Sequence, residues 1–283
     1  MKWHIYTDPE HFMEQIGPFL KQREAENNLA LGILTSLAAG KRRTESEPLM
    51  AAIQEGDEPA LVLLMTPPNN LILVGETSRL HEDCCPFAVK SLLEMNVDVP
   101  GVIGDPAILS EFIKAWEHNT GCTAEVVMSQ RIYRLDRVTE FSISPGRMRR
   151  IAAADTDLAA GWLHLFAKEI GEQLPYDKAL TKARSIVEEG TLFFWEDGGR
   201  PVSMAMKTRP TANGSVVSMV YTPPEFRGRG YATSCVASLS SLLLEQGYSF
   251  CTLYTDLANN TSNKIYQNIG YRPIQDSIVY RFV

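Results

Sequence analysis

The chain has 283 residues, of which 45% are hydrophobic and 22% are charged, a composition typical of a globular protein with two domains. Its net charge of −7 argues against a nucleic-acid binder, which usually carries a basic surface. The five cysteines have neither the spacing of a disulfide framework nor that of a zinc site. The sequence contains neither a signal peptide nor an apolar run of membrane length. We therefore expect a cytoplasmic protein that binds no nucleic acid, membrane or metal.

The first half of the chain, residues 1–140, alternates helix and strand patterns. Asp8 and Pro9 are typical of a helix start, and apolar residues recur after them at helical spacing. Two apolar runs flank the turn sequence Pro67-Pro68-Asn69-Asn70, which predicts a hairpin. The predicted elements are a strand at 3–6, helices at 8–20 and 24–37, the hairpin of 60–65 and 71–74, helices at 86–95 and 107–118, and strands at 124–128 and 131–138.

Residues 141–146 predict a boundary between domains, because serine, proline and glycine are concentrated there. We expect one domain over residues 1–140 and a second over residues 146–283. Asp-Gly and Asn-Gly turns at 197–198 and 213–214 favour tight hairpins. The elements predicted for the second half are a strand at 147–153, helices at 156–170 and 179–188, strands at 191–196, 201–208 and 215–221, a helix at 231–245, a strand at 248–255, a helix at 261–269 and a strand at 274–282.

This order of elements predicts an α/β (α+β) fold, with a mixed, mostly antiparallel central sheet flanked by helices. The hairpins at 60–74 and 202–220 have a similar character, and each is followed by a helix. Each half also begins with a strand and two helices. The sequence therefore predicts two tandem copies of one fold.

The segment after the strand at 215–221 carries the clearest chemical signal. Gly228 and Gly230 lie between that strand and an amphipathic helix starting at Tyr231. A glycine loop at a helix start exposes unpaired N–H groups, and the helix dipole adds positive charge there. This arrangement favours phosphate or pyrophosphate. The loop lacks the lysine of a P-loop and the third glycine of a dinucleotide fingerprint.

Residues 227–232, Arg-Gly-Arg-Gly-Tyr-Ala, have the form Arg/Gln-x-x-Gly-x-Gly/Ala. They resemble the pyrophosphate loop of the GNAT superfamily of N-acetyltransferases. A second segment, residues 259–271, resembles the other signature of that family. Its matching positions are Asn259, Ser262, Tyr266, Gly270 and Tyr271. The resemblance extends to the strand order, so it covers the second half of the chain.

The resemblance implies acetyl-coenzyme A as cosubstrate and direct attack of an amine on the acetyl carbonyl, with no covalent enzyme intermediate. In this family the glycine loop binds the pyrophosphate, and the strand before it binds the pantetheine arm through its main chain. The residues that it assigns to the cofactor are Met219, Val220, Tyr221, Arg227, Gly228, Arg229, Gly230, Tyr231, Ala232, Thr233, Asn259 and Ser262. Asn259 can also serve as a helix cap.

Tyr266 is the candidate general acid that protonates the departing thiolate, since a tyrosine pKa of roughly 10 is close to a thiol pKa of roughly 8.5. The alternative is that Tyr266 only packs beneath the cofactor. The general base stays open, because residues 218–220 include no carboxylate. Glu169, Glu172, Asp177 and Asp256 are either base candidates or ordinary surface charges, and a water chain is a further option.

The first half lacks a pyrophosphate motif, since residues 75–80 contain no second glycine. We interpret it as a degenerate copy that has lost coenzyme A binding. The predicted function is N-acetyl transfer to a primary amine of a small molecule by a monomer or homodimer. The alternatives are a non-catalytic acyl-coenzyme A-binding or sensory protein, and a peptide or protein N-acetyltransferase. The sequence identifies neither the acceptor nor the acyl chain length.

Overall fold

A computed structural model describes residues 1–41, 44, 46–56, 58–78, 80–140 and 142–283. Phe141, at the predicted domain boundary, and Arg79, in the predicted loop after the first hairpin, lie outside the described residues. The chain forms two compact units. The first unit consists of Met1–Ile132, Tyr254–Asn259 and Pro273–Val283, and the second of Tyr133–Leu253 and Asn260–Arg272. These units differ from the predicted ranges 1–140 and 146–283, because residues 133–140 belong to the second unit and residues 254–259 and 273–283 belong to the first.

The two halves of the chain repeat one order of elements. The first half contains β1 (Lys2–Tyr6), α1 (Pro9–Gln22), α2 (Asn28–Ala38), β2 (Leu49–Glu55), β3 (Glu58–Met65), β4 (Leu71–Gly75), α3 (Cys84–Glu94), β5 (Gly101–Gly104), α4 (Pro106–Thr120) and β6 (Ala124–Leu135). The second half contains β7 (Arg147–Arg150), α5 (Thr156–Glu169), α6 (Tyr176–Glu189), β8 (Leu192–Asp197), β9 (Arg200–Thr208), β10 (Gly214–Tyr221), α7 (Tyr231–Glu245), β11 (Phe250–Asp256), α8 (Asn260–Ile269) and β12 (Arg272–Phe282). The predicted tandem repeat is confirmed.

The strands β2 and β5 were not predicted, and β6 is one strand where two were predicted. β5 has the sequence Gly-Val-Ile-Gly, and glycine has a low strand propensity. Its glycines allow close backbone approach, since a Cβ atom on Gly104 would lie 2.6 Å from the carbonyl oxygen of Leu73. A Cβ atom on Gly101 would likewise collide with the carbonyl oxygen of Tyr280. These contacts between distant segments cannot be read from local sequence.

In the first unit the strand order is β1-β2-β3-β4-β5-β12-β6. β4 and β5 are parallel, whereas β1, β2, β3 and β4 pair antiparallel in succession. β12, the last strand of the chain, pairs antiparallel with β5 from Ile278↔Gly104 to Arg281↔Gly101. In the second unit the order is β11-β10-β9-β8-β7, and β10 and β11 form its parallel pair. The mixed, mostly antiparallel sheet is therefore confirmed.

Helices cover both faces of the first unit's sheet. Along β3, Leu61 and Leu63 pack in a cluster with residues of α3 and α4, whereas Val62 and Leu64 pack in a cluster with residues of α1 and α2. Successive strand residues point to opposite faces. Burial on both faces explains why β3 is a continuous apolar run rather than an alternating one.

The second unit is layered in the same way. Phe193 and Ala205 pack in a cluster with residues of α7 and α8, whereas Phe194 and Met204 pack in a cluster with residues of α5 and α6. The two parallel strands thus lie in a sheet that is covered on both sides. Within the part of the chain that the structure describes, no helix has the length and apolar character needed to cross a bilayer.

The end of β12 supplies a test of the first unit. The Phe282 ring stacks on Trp116 with the ring centroids 5.1 Å apart, and it packs against the core formed by α3 and α4. We expect Phe282→Ala to lower the free energy of unfolding by about 2 kcal/mol, less than for a fully buried phenylalanine. Urea denaturation followed by tryptophan fluorescence measures this loss. Val283→Ala is the control, because Val283 is exposed. Equal stability of both variants would contradict the placement of β12.

Candidate active site

The parallel pairing of β10 and β11 ends partway along β10. The paired residues run from Gly214↔Phe250 to Val216↔Thr252. β10 itself continues to Tyr221. Among the described residues, the edge of β10 over 217–221 therefore has no strand partner from β11. Main-chain hydrogen-bonding groups on this edge are available to a ligand that carries amides.

β10 also contains a β-bulge within its unpaired segment. Ser218 pairs with Met206 and Tyr221 pairs with Met204, so two residues of β10 lie opposite one residue of β9. Met219 within the bulge has a φ of 48°, in the left-handed region that non-glycine residues rarely adopt. A bulge redirects the local peptide groups away from the regular ladder. The bulge thus lies within the segment predicted to bind pantetheine.

The glycine loop follows a 3-10 turn, Pro224–Phe226, and leads into α7. Gly228 and Gly230 both have a φ of 76°, and Gly230 is the N-cap of the helix. The first backbone hydrogen bond of α7 runs from Ser234 N–H to Gly230 O, at 3.0 Å. Within the described chain, the backbone N–H groups of 228–233 donate no hydrogen bond to protein atoms. These donors, together with the helix dipole, favour an anion at the position that the sequence predicted.

Arg227 differs from the rest of the loop because its backbone N–H and part of its guanidinium already donate to protein atoms. Its backbone N–H donates to Pro224 O at 3.2 Å, and its Nε donates to Thr222 O at 2.9 Å. Its guanidinium pairs with the Glu169 carboxylate. Arg227 therefore joins the 3-10 turn to α5. Its role in binding pyrophosphate stays a prediction. Glu169, one of the carboxylates considered as a base, is held in this ion pair.

The Tyr231 side chain anchors the end of the glycine loop to β8. Its side chain is buried, and its hydroxyl donates to the Asp197 carboxylate at 2.6 Å. This hydrogen bond raises the pKa of Tyr231 above its ordinary value, with burial as the second cause. The backbone N–H of Tyr231 remains among the unpaired donors of the loop. Ala232 and Thr233, which follow it, are half-buried in the first turn of α7.

Tyr266 lies on α8 in the apolar core of the second unit. It is 7% exposed, and its ring centroid is 6.1 Å from that of Tyr271. Burial raises the pKa of Tyr266 to about 12, while a hydrogen bond with the Ser262 side chain lowers it. The structure therefore brings together Tyr266 and Ser262, two residues of the second motif. At neutral pH the Tyr266 hydroxyl is protonated and can donate.

The other predicted site residues have separate partners. Asn259 N–H donates to Asp256 O at 3.0 Å, and the Asp256 carboxylate accepts from Ala258 N–H at 2.8 Å. Both belong to the turn before α8, and Asn259 belongs to the first compact unit. Glu172 and Asp177 are exposed. The residues of β10 itself include no carboxylate. The Ser218 hydroxyl shares a hydrogen bond with the Thr208 hydroxyl at 3.1 Å.

Three residues that stabilise the loop were missed by sequence reasoning: Ser144, Asp197 and Ser234. Ser144 lies in the segment interpreted as a domain boundary, and its hydroxyl donates to Arg229 O at 2.9 Å. Asp197 was assigned to a hairpin turn, and Ser234 to the apolar helix that follows the loop. Their partners lie far away in sequence, so no local pattern indicates these roles.

The first unit has the same strand arrangement but a different helix start. Pairing of β4 with β5 ends at Leu73↔Gly104, and α3 begins at Cys84 after Glu82 and Asp83. Carboxylates at a helix start disfavour an anion there. Cys84 has a raised pKa, chiefly because of burial and then because of the Glu55 charge. These features disfavour a pyrophosphate at the start of α3.

A recess of about 450 Å³, which includes space open to solvent, lies in the first unit where the pairing of β4 and β5 ends. Its polar lining includes Arg23, Glu26 and Asp105. The Arg23 guanidinium donates to Gln275 Oε1 at 3.0 Å and lies 3.5 Å from the Glu26 carboxylate. Arg23 is already paired, and Glu26 and Asp105 are negatively charged. This recess therefore does not suit pyrophosphate.

Comparisons with known proteins agree with this architecture. A family model described as FR47-like protein matches residues 199–280. A GNAT-family acetyltransferase from Colwellia psychrerythraea is 13% identical, with a TM-score of 0.58 and full coverage of both chains. A GCN5-related N-acetyltransferase from Sphaerobacter thermophilus is 12% identical, with a TM-score of 0.67 and coverage of 99% of this chain and 95% of that one.

A tandem GNAT protein from the clavulanic acid biosynthesis pathway is 11% identical, with a TM-score of 0.58 and coverage of 100% of this chain and 98% of that one. No curated protein matches the chain in sequence. The strand order, the repeated arrangement and these structural neighbours lead to one conclusion. The chain has a GNAT superfamily fold with two domains.

Proposed function

We propose that this protein is an N-acetyltransferase that moves the acetyl group of acetyl-coenzyme A directly to a primary amine of a small molecule. The observation that carries the proposal is the set of unpaired N–H groups over 228–233, at the start of α7 and directly after the bulged strand β10. The fold that the chain shares with GNAT acetyltransferases supports acyl transfer as the reaction class.

The loop fits a pyrophosphate group in both charge and space. The helix dipole and the free N–H groups favour two adjacent phosphates. A Cβ atom on Gly228 would meet nothing within 4 Å, so the outer side of the loop is open. The exposed Arg229 adds a positive charge beside it. Arg227 contributes through the 3-10 turn that it stabilises rather than through its own N–H.

The free edge of β10 fits the amide groups of a pantetheine arm. A strand edge recognises an extended chain by main-chain hydrogen bonds. The bulge at Met219 and Val220 turns peptide groups out of the ladder at the point where the thioester would lie. A backbone N–H in that position stabilises the oxyanion of the tetrahedral intermediate, and one such donor contributes roughly 3 kcal/mol in other acyl-transfer enzymes.

In the proposed reaction the amine nitrogen attacks the acetyl carbonyl, so a C–N bond forms and the C–S bond breaks. The proton lost by the amine balances the proton gained by the departing thiolate. Tyr266 has a pKa of about 12, so full proton transfer to a thiolate is uphill by about 5 kcal/mol. We therefore assign to Tyr266 a hydrogen bond to the developing thiolate, where the sequence had indicated a general acid.

A non-catalytic acyl-coenzyme A-binding protein is the second candidate. Two observations favour it: Tyr266 is only 7% exposed, and residues 218–220 supply no carboxylate as a base. An amine that arrives as the free base, or that loses its proton to water, removes the need for that carboxylate. Turnover with any amine would separate an enzyme from a non-catalytic binder. Comparing a panel of small amines with a panel of peptides would identify the acceptor class.

A charge introduced into the loop tests the pyrophosphate site. We expect Gly228→Glu to bind acetyl-coenzyme A at least 10-fold more weakly than Gly228→Gln, because both side chains have similar size and only one is charged. Isothermal titration calorimetry at low and moderate salt measures the difference, which salt should reduce. Position 230 is unsuitable for this test, since a Cβ atom there would lie 2.7 Å from Ser144 Oγ.

Equal affinities of the two Gly228 variants would contradict the proposed site. Failure of the wild-type protein to bind acetyl-coenzyme A would contradict the proposed function.

Removing the Tyr266 hydroxyl tests catalysis. We expect Tyr266→Phe to lower kcat about 100-fold, as for the removal of one hydrogen-bond donor that stabilises developing negative charge, while the Kd for acetyl-coenzyme A changes less than 3-fold. Tyr248→Phe is the matched control, because Tyr248 also packs partly buried against the same core. Unchanged turnover in Tyr266→Phe would assign Tyr266 to packing alone. Absent turnover in the wild type, with retained binding, would favour the second candidate.

The pH dependence follows from the raised pKa of Tyr266. The phenol must keep its proton to donate, and its pKa of about 12 retains that proton throughout the measurable alkaline range. Only the unprotonated amine attacks, so kcat/KM should rise with pH towards the amine pKa of roughly 10. We expect no fall up to pH 10.5 in an initial-rate pH profile. A descending alkaline limb that disappears in Tyr266→Phe would contradict this assignment.

A further inference from the structure

Ser144 contacts the glycine loop through its side chain and the first turn of α7 through its backbone. Its hydroxyl donates to Arg229 O at 2.9 Å, and its N–H donates to Ser234 Oγ at 2.9 Å. Ser234 is fully buried in the first turn of α7, and its own N–H donates to Gly230 O at 3.0 Å. A single residue outside the loop therefore connects the loop to its helix.

The hydroxyl bond fixes the direction of one proposed ligand donor. The carbonyl of Arg229 and the N–H of Gly230 belong to the same peptide group. In a planar trans peptide these two bonds point in opposite directions. Because the carbonyl points to Ser144, the Gly230 N–H points away from Ser144. Without this bond the peptide plane is free to rotate, since glycine tolerates many backbone conformations.

The two glycines of the loop are needed for different reasons. A Cβ atom on Gly230 would lie 2.7 Å from Ser144 Oγ, whereas one on Gly228 would meet no atom within 4 Å. Ser144 therefore occupies the space on one side of position 230. The open side at Gly228 is the side left for a ligand.

The segment around Ser144 is itself held in place. Pro145 O accepts a hydrogen bond from Nε1 of the buried Trp195 at 3.0 Å. Gly146 has a φ of 118°, and a side chain there would collide with the Glu196 backbone. Proline after Ser144 also restricts Ser144 to extended conformations. The Ser144 hydroxyl thus reaches the loop from a backbone segment that packs against β8.

We propose that Ser144 is a positioning residue for the cofactor loop: its hydroxyl orients the Arg229–Gly230 peptide so that the Gly230 N–H faces the pyrophosphate. This inference rests on the proposed function. Ser144 does not touch the ligand, so its effect belongs to binding of the pyrophosphate and not to the chemical step.

Ser144→Ala removes the hydroxyl and keeps the backbone contact. We expect the Kd and KM for acetyl-coenzyme A to rise about 3- to 10-fold, as for the loss of one hydrogen bond, with kcat at saturation within 2-fold of wild type. Ser144→Thr retains a hydroxyl and should restore binding to within 2-fold. Ser142→Ala is the control, because Ser142 is exposed and lies just before this segment.

A second substrate separates positioning from general stability. S-acetylpantetheine carries the same thioester but no pyrophosphate, so its kcat/KM should be the same in Ser144→Ala and wild type. A variant that merely loosened the fold would lose activity with both substrates. The comparison uses the full-length protein, with kcat and KM measured for each substrate.

The possible outcomes are distinct. A weaker Kd for acetyl-coenzyme A alone, restored by threonine, supports the inference. Wild-type affinity in Ser144→Ala, or equal losses with both substrates, overturns the inference while leaving the proposed function intact. Absence of acetyl-coenzyme A binding by the wild-type protein overturns the proposed function, and this inference with it.

Discussion

Hydrogen bonding between β10 and β11 stops at Val216 and Thr252, and the candidate site depends on this early end of a parallel pair. Beyond it, among the residues that the structure describes, β11 no longer pairs with β10 over 217–221. The bulge at Met219 then redirects peptide groups within that same segment. The glycine loop follows within a few residues, and in the described chain its N–H groups over 228–233 donate to no protein atom. The hydrogen-bonding groups of the candidate site are therefore mainly backbone groups rather than charged side chains.

The two halves of the chain show that this strand arrangement is not sufficient for the site. In the first unit, β4 and β5 also part, after Leu73↔Gly104. There, however, the following helix begins after acidic residues, and its first residue, Cys84, is buried near Glu55. The same fold therefore carries a helix start that suits an anion in one copy and a helix start that disfavours an anion in the other. We propose that the few residues at the helix start, and not the architecture, distinguish the two copies in function.

Sequence patterns predicted the parts of the structure that depend on local chemistry. The helix predicted at 231–245 is α7, because its apolar spacing and its glycine start are both local signals. β5 was missed, since two of its four residues are glycines and its partners come from β4 and β12. The role of Ser144 depends on contacts with residues 85 and 90 positions away. The raised pKa of Tyr266 likewise depends on tertiary burial, so the sequence alone favoured an ordinary tyrosine.

The central claim is that the N–H groups of 228–233 form the pyrophosphate site. It is tested most directly by ¹H–¹⁵N NMR of the full-length protein during titration with acetyl-coenzyme A and, separately, with S-acetylpantetheine. The account predicts that the amide resonances of 228–233 shift with acetyl-coenzyme A and stay in place with S-acetylpantetheine, which lacks the pyrophosphate. Unchanged loop amides at saturating acetyl-coenzyme A, or shifts confined to the start of α3, would contradict the account.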